Sequence, residues 1–320
     1  MWLSTAPSDT IRSRWRLSPE QRRLDLGPNS HRRHDLDIMS QSPLPISRRS
    51  NSFDGSLAKE RCRRYRRRIL DISQQVGALH VAPAFSCTEI TDVIYHGLMR
   101  REASGEFHDV FLMSKGHGCM IQYVILEELG ILTRQDLDLY CRPGGRLGAH
   151  PDFGTPGIAA STGSLGHGLG IATGQACAEK LKGSDVRIYC LLSDGEFQEG
   201  STWEAMMMAA NLNLSNLVAF MDNNDFSGMD RMSESHQAFY PLLEKVGAFG
   251  WETVEVDGHD GAELFAAVAG RRGDRPLLVI CHTVKGKGVS FMEHVPIWHY
   301  RSPNAAEYRQ AIAELEKDAS

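Results

Sequence analysis

The chain has 320 residues, of which 42% are hydrophobic and 23% charged, and its formal net charge is −5. This length accommodates one large or two small domains, and no apolar run reaches the roughly 20 residues that a membrane-spanning helix needs. The seven cysteines are scattered without a C-x-x-C pair, which argues against a disulfide framework or a zinc site. Such cysteine usage favours a reducing compartment, and we predict a cytoplasmic protein.

Residues 1–55 are rich in arginine, serine and proline and show no hydrophobic periodicity. An arginine-rich start can bind nucleic acid or act as a transit peptide. Both interpretations are disfavoured because aromatic residues do not alternate with the arginines and because acidic residues interrupt them, at Asp9, Glu20, Asp25, Asp35 and Asp37. We therefore predict a disordered extension over residues 1–55, a folded domain over 56–320, and neither a nucleic-acid nor a membrane partner.

The folded part begins with helical patterns over residues 57–76, 88–99 and 118–128. From residue 163 onward, strands alternate with helices. We predict strands at 186–192, 217–221, 252–256 and 277–283, and helices at 163–182, 199–212, 262–269 and 304–317. This alternation indicates an α/β fold with a doubly wound, mostly parallel sheet flanked by helices, in which ligands bind at the carboxyl ends of the strands.

Two short polar motifs follow neighbouring strands of that sheet. Ser193-Asp194-Gly195-Glu196 follows one strand, and Asp222-Asn223-Asn224 follows the next, one β-α-β unit later. Asp-Gly and Asn-Asn are each common turn dipeptides when they stand alone. At adjacent strand ends, however, a carboxylate and an amide oxygen are suitable ligands for Mg²⁺ or Ca²⁺, and Gly195 permits close approach of a phosphate.

Together the two motifs resemble the thiamine-diphosphate signature, a G-D-G box followed after about thirty residues by N-N, with Ser193 in place of the first glycine. Further segments resemble the transketolase family: Ser114-Lys115-Gly116-His117-Gly118, Gly148-Ala149-His150-Pro151, Thr162 through Gly168, Asp194 through Ala205, Thr283 through Gly288, and Trp298-His299. The resemblance runs in order from about residue 57 to 315 and implies the diphosphate-binding domain of the thiamine-diphosphate-binding fold.

The resemblance implies roles for individual residues. Asp194, Asn224 and the backbone carbonyl of Phe226 would ligate Mg²⁺, for which Ca²⁺ or Mn²⁺ can substitute. The same resemblance assigns contacts with thiamine diphosphate to His117, Gly163, Leu165, Asp194, Gly195, Asn224 and Lys285. It assigns the substrate channel to His80, His150 and His299, and it places Glu199 at the subunit interface, hydrogen-bonded to the glutamate of a partner that activates the cofactor.

Two positions depart from the family pattern near the expected site. Pro83 follows the first histidine and removes a backbone donor, and Tyr300 stands where the family has glycine after Trp298-His299. Both changes bear on the choice of substrate.

The resemblance implies a split transketolase that transfers a two-carbon ketol unit from a ketose phosphate to an aldose phosphate. The chain ends before a pyrimidine-binding domain could begin, so we expect a C-terminal transketolase-like subunit to complete the site in a heterotetramer. Two alternatives remain open. One is a subunit of another thiamine-diphosphate enzyme, similar to 1-deoxyxylulose-phosphate synthase or to a 2-oxo-acid dehydrogenase, and the other is a non-catalytic scaffold of the same fold.

Overall fold

A five-stranded parallel sheet organises the chain, as seen in a computed structural model that describes residues 53–76 and 79–317. The extension predicted over residues 1–55 lies almost entirely outside the described residues. Within them, no helix is both long enough and apolar enough to cross a bilayer.

The first half of the described chain is mainly helical. Asp54 accepts hydrogen bonds from the backbone of Ser56 and Leu57 and thereby caps the first helix. The elements are α1 Gly55–Ser73, α2 Val81–Ser86, α3 Thr88–Val93, β1 Val110–Met113, α4 Cys119–Glu128 and α5 Arg134–Asp138. A π-helical turn, Ile94–Leu98, continues α3, and a 3₁₀ turn, Gly116–Gly118, precedes α4.

The second half alternates strands with helices. The elements are α6 Gly168–Leu181, β2 Ile188–Ser193, α7 Gly200–Asn211, β3 Leu217–Asn223, a hairpin of β4 Phe226–Ser227 and β5 Asp230–Arg231, α8 Met232–Ser235, α9 Leu242–Ala248, β6 Glu252–Asp257, α10 Gly261–Ala269, β7 Leu277–His282 and α11 Ala305–Lys317. Short 3₁₀ turns cover Asp194–Gln198, Gln237–Phe239 and Pro296–His299.

The sheet has the order β1-β2-β3-β7-β6, and all its neighbours are parallel. Alternate side chains of the buried central strands point to opposite faces of the sheet, so each strand contributes side chains to two hydrophobic cores. Tyr189, Leu191 and Phe220 pack toward α1, α3, α4 and α10, whereas Cys190 and Leu192 pack toward α6 and α7. The predicted doubly wound parallel sheet flanked by helices is therefore confirmed.

Several sequence predictions about elements need correction. The helix predicted from residue 163 begins at Gly168, because Gly163 and Gly166 have positive φ angles of 128° and 82° that belong to a loop. The helix predicted over 88–99 changes to π geometry after Val93. Strand β1 and helix α9 were not predicted at all.

Candidate active site

The two polar motifs meet at the carboxyl ends of β2 and β3, which are adjacent and in register at Ser193 and Asp222. The backbone N–H of Phe226 donates to Oδ2 of Asp194 at 3.0 Å and to Oδ1 of Asn224 at 3.1 Å. Both oxygens therefore converge on one point of the sheet edge, as the sequence predicts.

This arrangement has the chemistry of a divalent-cation site. Asp194 is fully buried, and burial, together with the negative charge of Asp222, raises the pKa of Asp194 to about 7. A bound cation would relieve that penalty. Among the described residues no group of three or more His, Cys, Asp or Glu is arranged to hold a metal. One carboxylate and one amide oxygen suit a hard cation that takes its remaining ligands from phosphate and water.

A glycine-rich loop, residues 163–166, lies beside the convergence point of the Asp194 and Asn224 oxygens, and it packs against the loop that contains Gly116. A β-carbon on Gly163 would lie 2.8 Å from the His150 ring, and one on Gly116 would lie 2.7 Å from the α-carbon of Gly163. The two loops thus pack backbone against backbone, which no larger residue would allow. The buried Glu196 carboxylate ties both loops to β2, since it accepts from the Ser114 hydroxyl, from the Gly166 N–H at 3.1 Å and from the Ser193 N–H at 3.0 Å.

Four histidine rings surround the space above the loops. The His80 centroid lies 6.0 Å from that of His117, 5.7 Å from that of His150 and 5.4 Å from that of His299. The rings of His117 and His299 stack at 5.4 Å. Residues from the start of α2, where His80 is the N-cap, from the turn before α4, from the loop before Pro151 and from the turn after β7 are therefore brought together, although they span more than two hundred positions of sequence.

The imidazoles of His80, His117 and His299 are held neutral. Burial, followed by the charge of His150 or Lys285, lowers the pKa of His80 to about 4 and that of His299 to about 3. Burial and the charge of Lys115 also lower the pKa of His117 well below its ordinary value. The Lys285 ammonium lies 2.9 Å from Nδ1 of His299. Because an ammonium only donates, Nδ1 accepts and Nε2 carries the proton.

A cavity of about 210 Å³ lies between these groups. Its lining includes eight of the predicted site residues and three further ones: His80, His117, His150, Gly163, Leu165, Gly195, Phe226 and His299, joined by Ser193, Ser227 and Gly228. Asp194, Asn224 and Lys285 are buried beside it, and Lys285 donates to the Gly228 carbonyl at 2.8 Å. Burial lowers the pKa of Lys285 to about 8, and because that value is still above 7 the side chain stays mostly cationic at neutral pH.

Glu199 is a predicted site residue that lies apart from the cavity. It is exposed at the start of α7 and does not line the cavity. It lies against the glycine loop, since a β-carbon on Gly166 would come within 2.6 Å of the Glu199 β-carbon.

The two residues that depart from the family pattern, Pro83 and Tyr300, lie in different surroundings. Pro83 lies in the first turn of α2, where backbone N–H groups have no partner within the helix, so the missing donor costs little. Tyr300 is half exposed, its ring meets the His299 ring edge-on at 5.7 Å, and its hydroxyl lies 3.9 Å from the sulfur of Met229. The Tyr300–Met229 pair therefore forms an apolar rim beside the cavity.

Three residues of the site were missed by sequence reasoning. Lys115, Asp222 and Glu196 all lie inside the matched motifs and are buried, yet none was singled out. The available signal was residue type next to an apolar run, because charged side chains are almost never fully buried unless they are paired.

A larger cavity, of about 330 Å³, lies between α1, α4 and α5, away from the strand ends. Its walls are surface ion pairs, including Arg68 with Glu127 at 2.8 Å and Arg64 with Glu128 at 3.2 Å. Surface pairs of this kind are common and weak, so we assign the site to the smaller, histidine-lined cavity.

Fold and site define an α/β protein with a ligand cavity at the carboxyl ends of a parallel sheet, and comparison with known proteins gives its family. Residues 58–310 match the family model described as transketolase, thiamine diphosphate binding domain. The chain belongs to the transketolase family and corresponds to its N-terminal, thiamine-diphosphate-binding part.

Two kinds of relatives are found. The chain is 34% identical over 255 residues to an apulose-4-phosphate transketolase subunit of Phocaeicola vulgatus, covering 78% of this chain and 90% of that protein. It is 35% identical over 261 residues to human transketolase, covering 80% of this chain but 42% of that protein. The solved transketolase of Leishmania mexicana superposes with a TM-score of 0.74 at 27% identity, over 81% of this chain and 41% of that one.

Proposed function

We propose that this chain is the metal- and diphosphate-binding subunit of a two-component transketolase that uses thiamine diphosphate and Mg²⁺. The observation that carries the proposal is the convergence of Asp194 and Asn224 oxygens at adjacent strand ends, directly beside a cavity that four histidines surround. Bound thiamine diphosphate would supply the nucleophilic carbon that accepts and releases a two-carbon ketol unit.

Each residue of the site has a proposed part in this chemistry. Asp194, Asn224 and the carbonyl of Phe226 would hold the Mg²⁺, with Ca²⁺ or Mn²⁺ as substitutes. Lys285, as a buried cation, would neutralise the diphosphate, while His117, Gly163, Leu165 and Gly195 would contact the cofactor. Such a cation in a buried site interacts strongly because water does not screen it.

His80 and His299, whose imidazoles are held neutral, fit the substrate side of the cavity, and His150 lies beside them. His299 presents an Nε2 proton, because its Nδ1 faces the Lys285 ammonium, and can donate to a carbonyl or hydroxyl oxygen of a sugar. We propose that His80, His150 and His299 hold and move protons at those oxygens. An imidazole that stays neutral at pH 7 can act as a hydrogen-bond donor or a base without first losing a proton.

The need for a partner rests on the relatives and on Glu199. The transketolase subunit of Phocaeicola vulgatus is covered to 90% of its length, whereas human transketolase is covered to 42%. We propose that a C-terminal transketolase-like subunit packs against the exposed Glu199, supplies the cofactor-activating glutamate, and forms a heterotetramer with this chain. The scattered free cysteines support a cytoplasmic location.

The proposed substrates are sugar phosphates. One relative, from Phocaeicola vulgatus, is named for apulose-4-phosphate and another, from Clostridium sp., for 6-deoxy-6-sulfo-D-fructose. Members with this architecture therefore differ in the sugar, and we propose that the Tyr300–Met229 rim contributes to the choice in this chain.

A reconstitution assay tests the proposal. The chain alone should show no ketol transfer, and mixing it with a C-terminal transketolase-type subunit, thiamine diphosphate and Mg²⁺ should produce turnover of a ketose phosphate. The matched control is the same mixture with an Asp194→Ala chain, which should stay inactive. Turnover by the chain without a partner, or equal turnover with Asp194→Ala, would contradict the proposal.

A further inference from the structure

A fully buried ion pair lies directly beneath the proposed metal site. The ammonium of Lys115, two residues after β1, pairs with Oδ2 of Asp222 near the end of β3, and both side chains are completely buried. Lys115 also lies 3.1 Å from the carbonyl of Pro83 in α2. Neither residue was predicted from the sequence, and neither lines the cavity.

The Asp222 carboxylate is saturated with donors. Oδ2 accepts from the Ser86 hydroxyl at 2.6 Å and from Nδ2 of Asn224 at 3.1 Å, as well as from Lys115. Oδ1 accepts from the Thr283 hydroxyl just beyond β7. Segments from β1, α2, β3 and the loop after β7 are therefore tied to one carboxylate.

The hydrogen bond between Asn224 and Asp222 bears on the orientation of the Asn224 side-chain amide. The oxygen and nitrogen of an asparagine amide are nearly equal in shape, so packing alone does not decide which one faces a given neighbour. An ionised carboxylate can only accept hydrogen bonds, so the Asn224 atom that faces Asp222 must be the NH₂ group. The opposite atom, Oδ1, is then turned toward the Phe226 N–H and Asp194. A metal ion requires that oxygen, since an amide NH₂ does not ligate Mg²⁺.

We propose that Asp222, held in place by Lys115, is a positioning residue that fixes the orientation of the Asn224 amide and so presents Oδ1 to the metal. The role that we assign to this orientation rests on the proposed function. The orientation of the Asn224 amide is present in the chain without metal or cofactor. Groups that orient a ligand from behind typically change metal affinity about 10- to 100-fold when they are altered.

The first test needs neither metal nor cofactor. In the full chain labelled with ¹⁵N-asparagine, the side-chain amide of Asn224 is identified by its loss in Asn224→Asp. Its protons should exchange slowly with solvent, and in Asp222→Asn they should exchange at least about tenfold faster. Unchanged exchange and unchanged chemical shifts in Asp222→Asn would overturn the inference.

The second test measures affinity for thiamine diphosphate in the presence of Mg²⁺ by calorimetry on the full chain. Asp222→Asn should bind about 10- to 100-fold more weakly. In the double variant Asp222→Asn/Asn224→Asp, residue 224 presents an oxygen whichever way it turns, so affinity should return to within about threefold of wild type. A double variant as weak as the single one would show that Asp222 acts only on stability, and would overturn the inference.

Asp92→Asn is the matched control for both tests. Asp92 is an equally buried carboxylate, bonded by Arg61 at 2.7 and 2.8 Å, but it lies on α3 away from the site. Its substitution should lower the melting temperature and leave both amide exchange at Asn224 and cofactor affinity unchanged. If the wild-type chain protects the Asn224 amide but does not bind thiamine diphosphate with Mg²⁺, the proposed function fails while the positioning inference stands.

Discussion

Asp194 illustrates how a single residue is kept in an unfavourable state. Its carboxylate is completely buried, and its two hydrogen bonds come from backbone N–H groups of Gly195 and Phe226. Both burial and the nearby Asp222 charge favour its neutral form, which is why its pKa is raised to about 7. Functional sites that require a charge often keep such a residue although its burial lowers the stability of the fold.

Replacing Asp194 by asparagine should therefore separate stability from binding. The Asp194→Asn chain should melt at the same temperature as wild type or higher, because an uncharged side chain replaces a buried charge. It should bind Mg²⁺ with thiamine diphosphate at least about tenfold more weakly, a loss of about 1.4 kcal/mol. Calorimetry and thermal melting measure the two effects. Unchanged affinity in Asp194→Asn would show that this carboxylate does not ligate the metal.

His299 gives a prediction about pH. Its pKa is lowered to about 3 by burial and by Lys285, so between pH 6.5 and 4 the unfolded chain protonates this imidazole while the folded chain does not. Stability is therefore lost as pH falls through that window. In His299→Gln the fall in melting temperature from pH 7 to pH 4.5 should be smaller than in wild type.

His108 provides a control of opposite sign. Burial opposes its protonation, but hydrogen bonds with Glu102 and Asp185 outweigh burial and raise its pKa above the ordinary value. It therefore stabilises the fold below pH 6.5, and that contribution disappears as pH rises through the folded pKa. His108→Gln should make the acid-induced fall in melting temperature larger. Equal slopes for both variants would mean that neither histidine is linked to folding as described.

At the scale of elements, the central strands were predictable because burial on both faces gives continuous apolar runs. Strand β1 was missed because Val110–Met113 is only one such run of four residues, too short to distinguish from a buried helical segment. Helix α9 was missed because its buried stripe consists of Leu242 and Val246 alone. The positions of Asp194 and Asn224, in contrast, were predictable from the ends of β2 and β3 that they follow.

The partners of the buried charges were not predictable, and the reason is long-range geometry. The Lys115 ammonium meets a carboxylate on β3 and a carbonyl on α2, and no local pattern indicates either neighbour. The sequence predicted that Asn224 would face the metal, but the group that turns its amide is visible only once β1, β3 and β7 are assembled.

The glycine loop before α6 gives a prediction at this scale. Gly166 has a φ of 82°, and a β-carbon there would lie 2.6 Å from the Glu199 β-carbon. Gly166→Ala should therefore cost more than the roughly 1–2 kcal/mol of a left-handed residue and should also weaken binding of the partner subunit. The control is Gly105→Ala, since Gly105 has a φ of 91° and open space around it. Equal melting temperatures and equal affinity for the partner in the two variants would contradict the prediction.

For the whole molecule, the start of the chain is predicted to be dispensable. Residues 1–50 lack the apolar periodicity needed to bury surface, so their removal should change the melting temperature and turnover little. Removing residues 1–54 is the informative comparison. That deletion also takes away Asp54, which caps α1, and Phe53, which stacks on Phe265 at 5.8 Å. It should cost about 1 kcal/mol or more. A large loss on removing residues 1–50 would show that this segment packs on the domain.

The order of the strands has a consequence for synthesis on the ribosome. β7 lies between β3 and β6 in the sheet, yet it is the last of the five strands in the chain. Until Leu277–His282 has emerged, β3 has an unpaired edge and β6 has no neighbour in the sheet. At about 5–20 residues per second, that edge stays open for a few seconds while the segment after Asn223 is translated. An open edge of a buried, apolar strand invites pairing with other chains, so chaperones that shield such edges should associate with nascent chains of this length and leave once β7 is released.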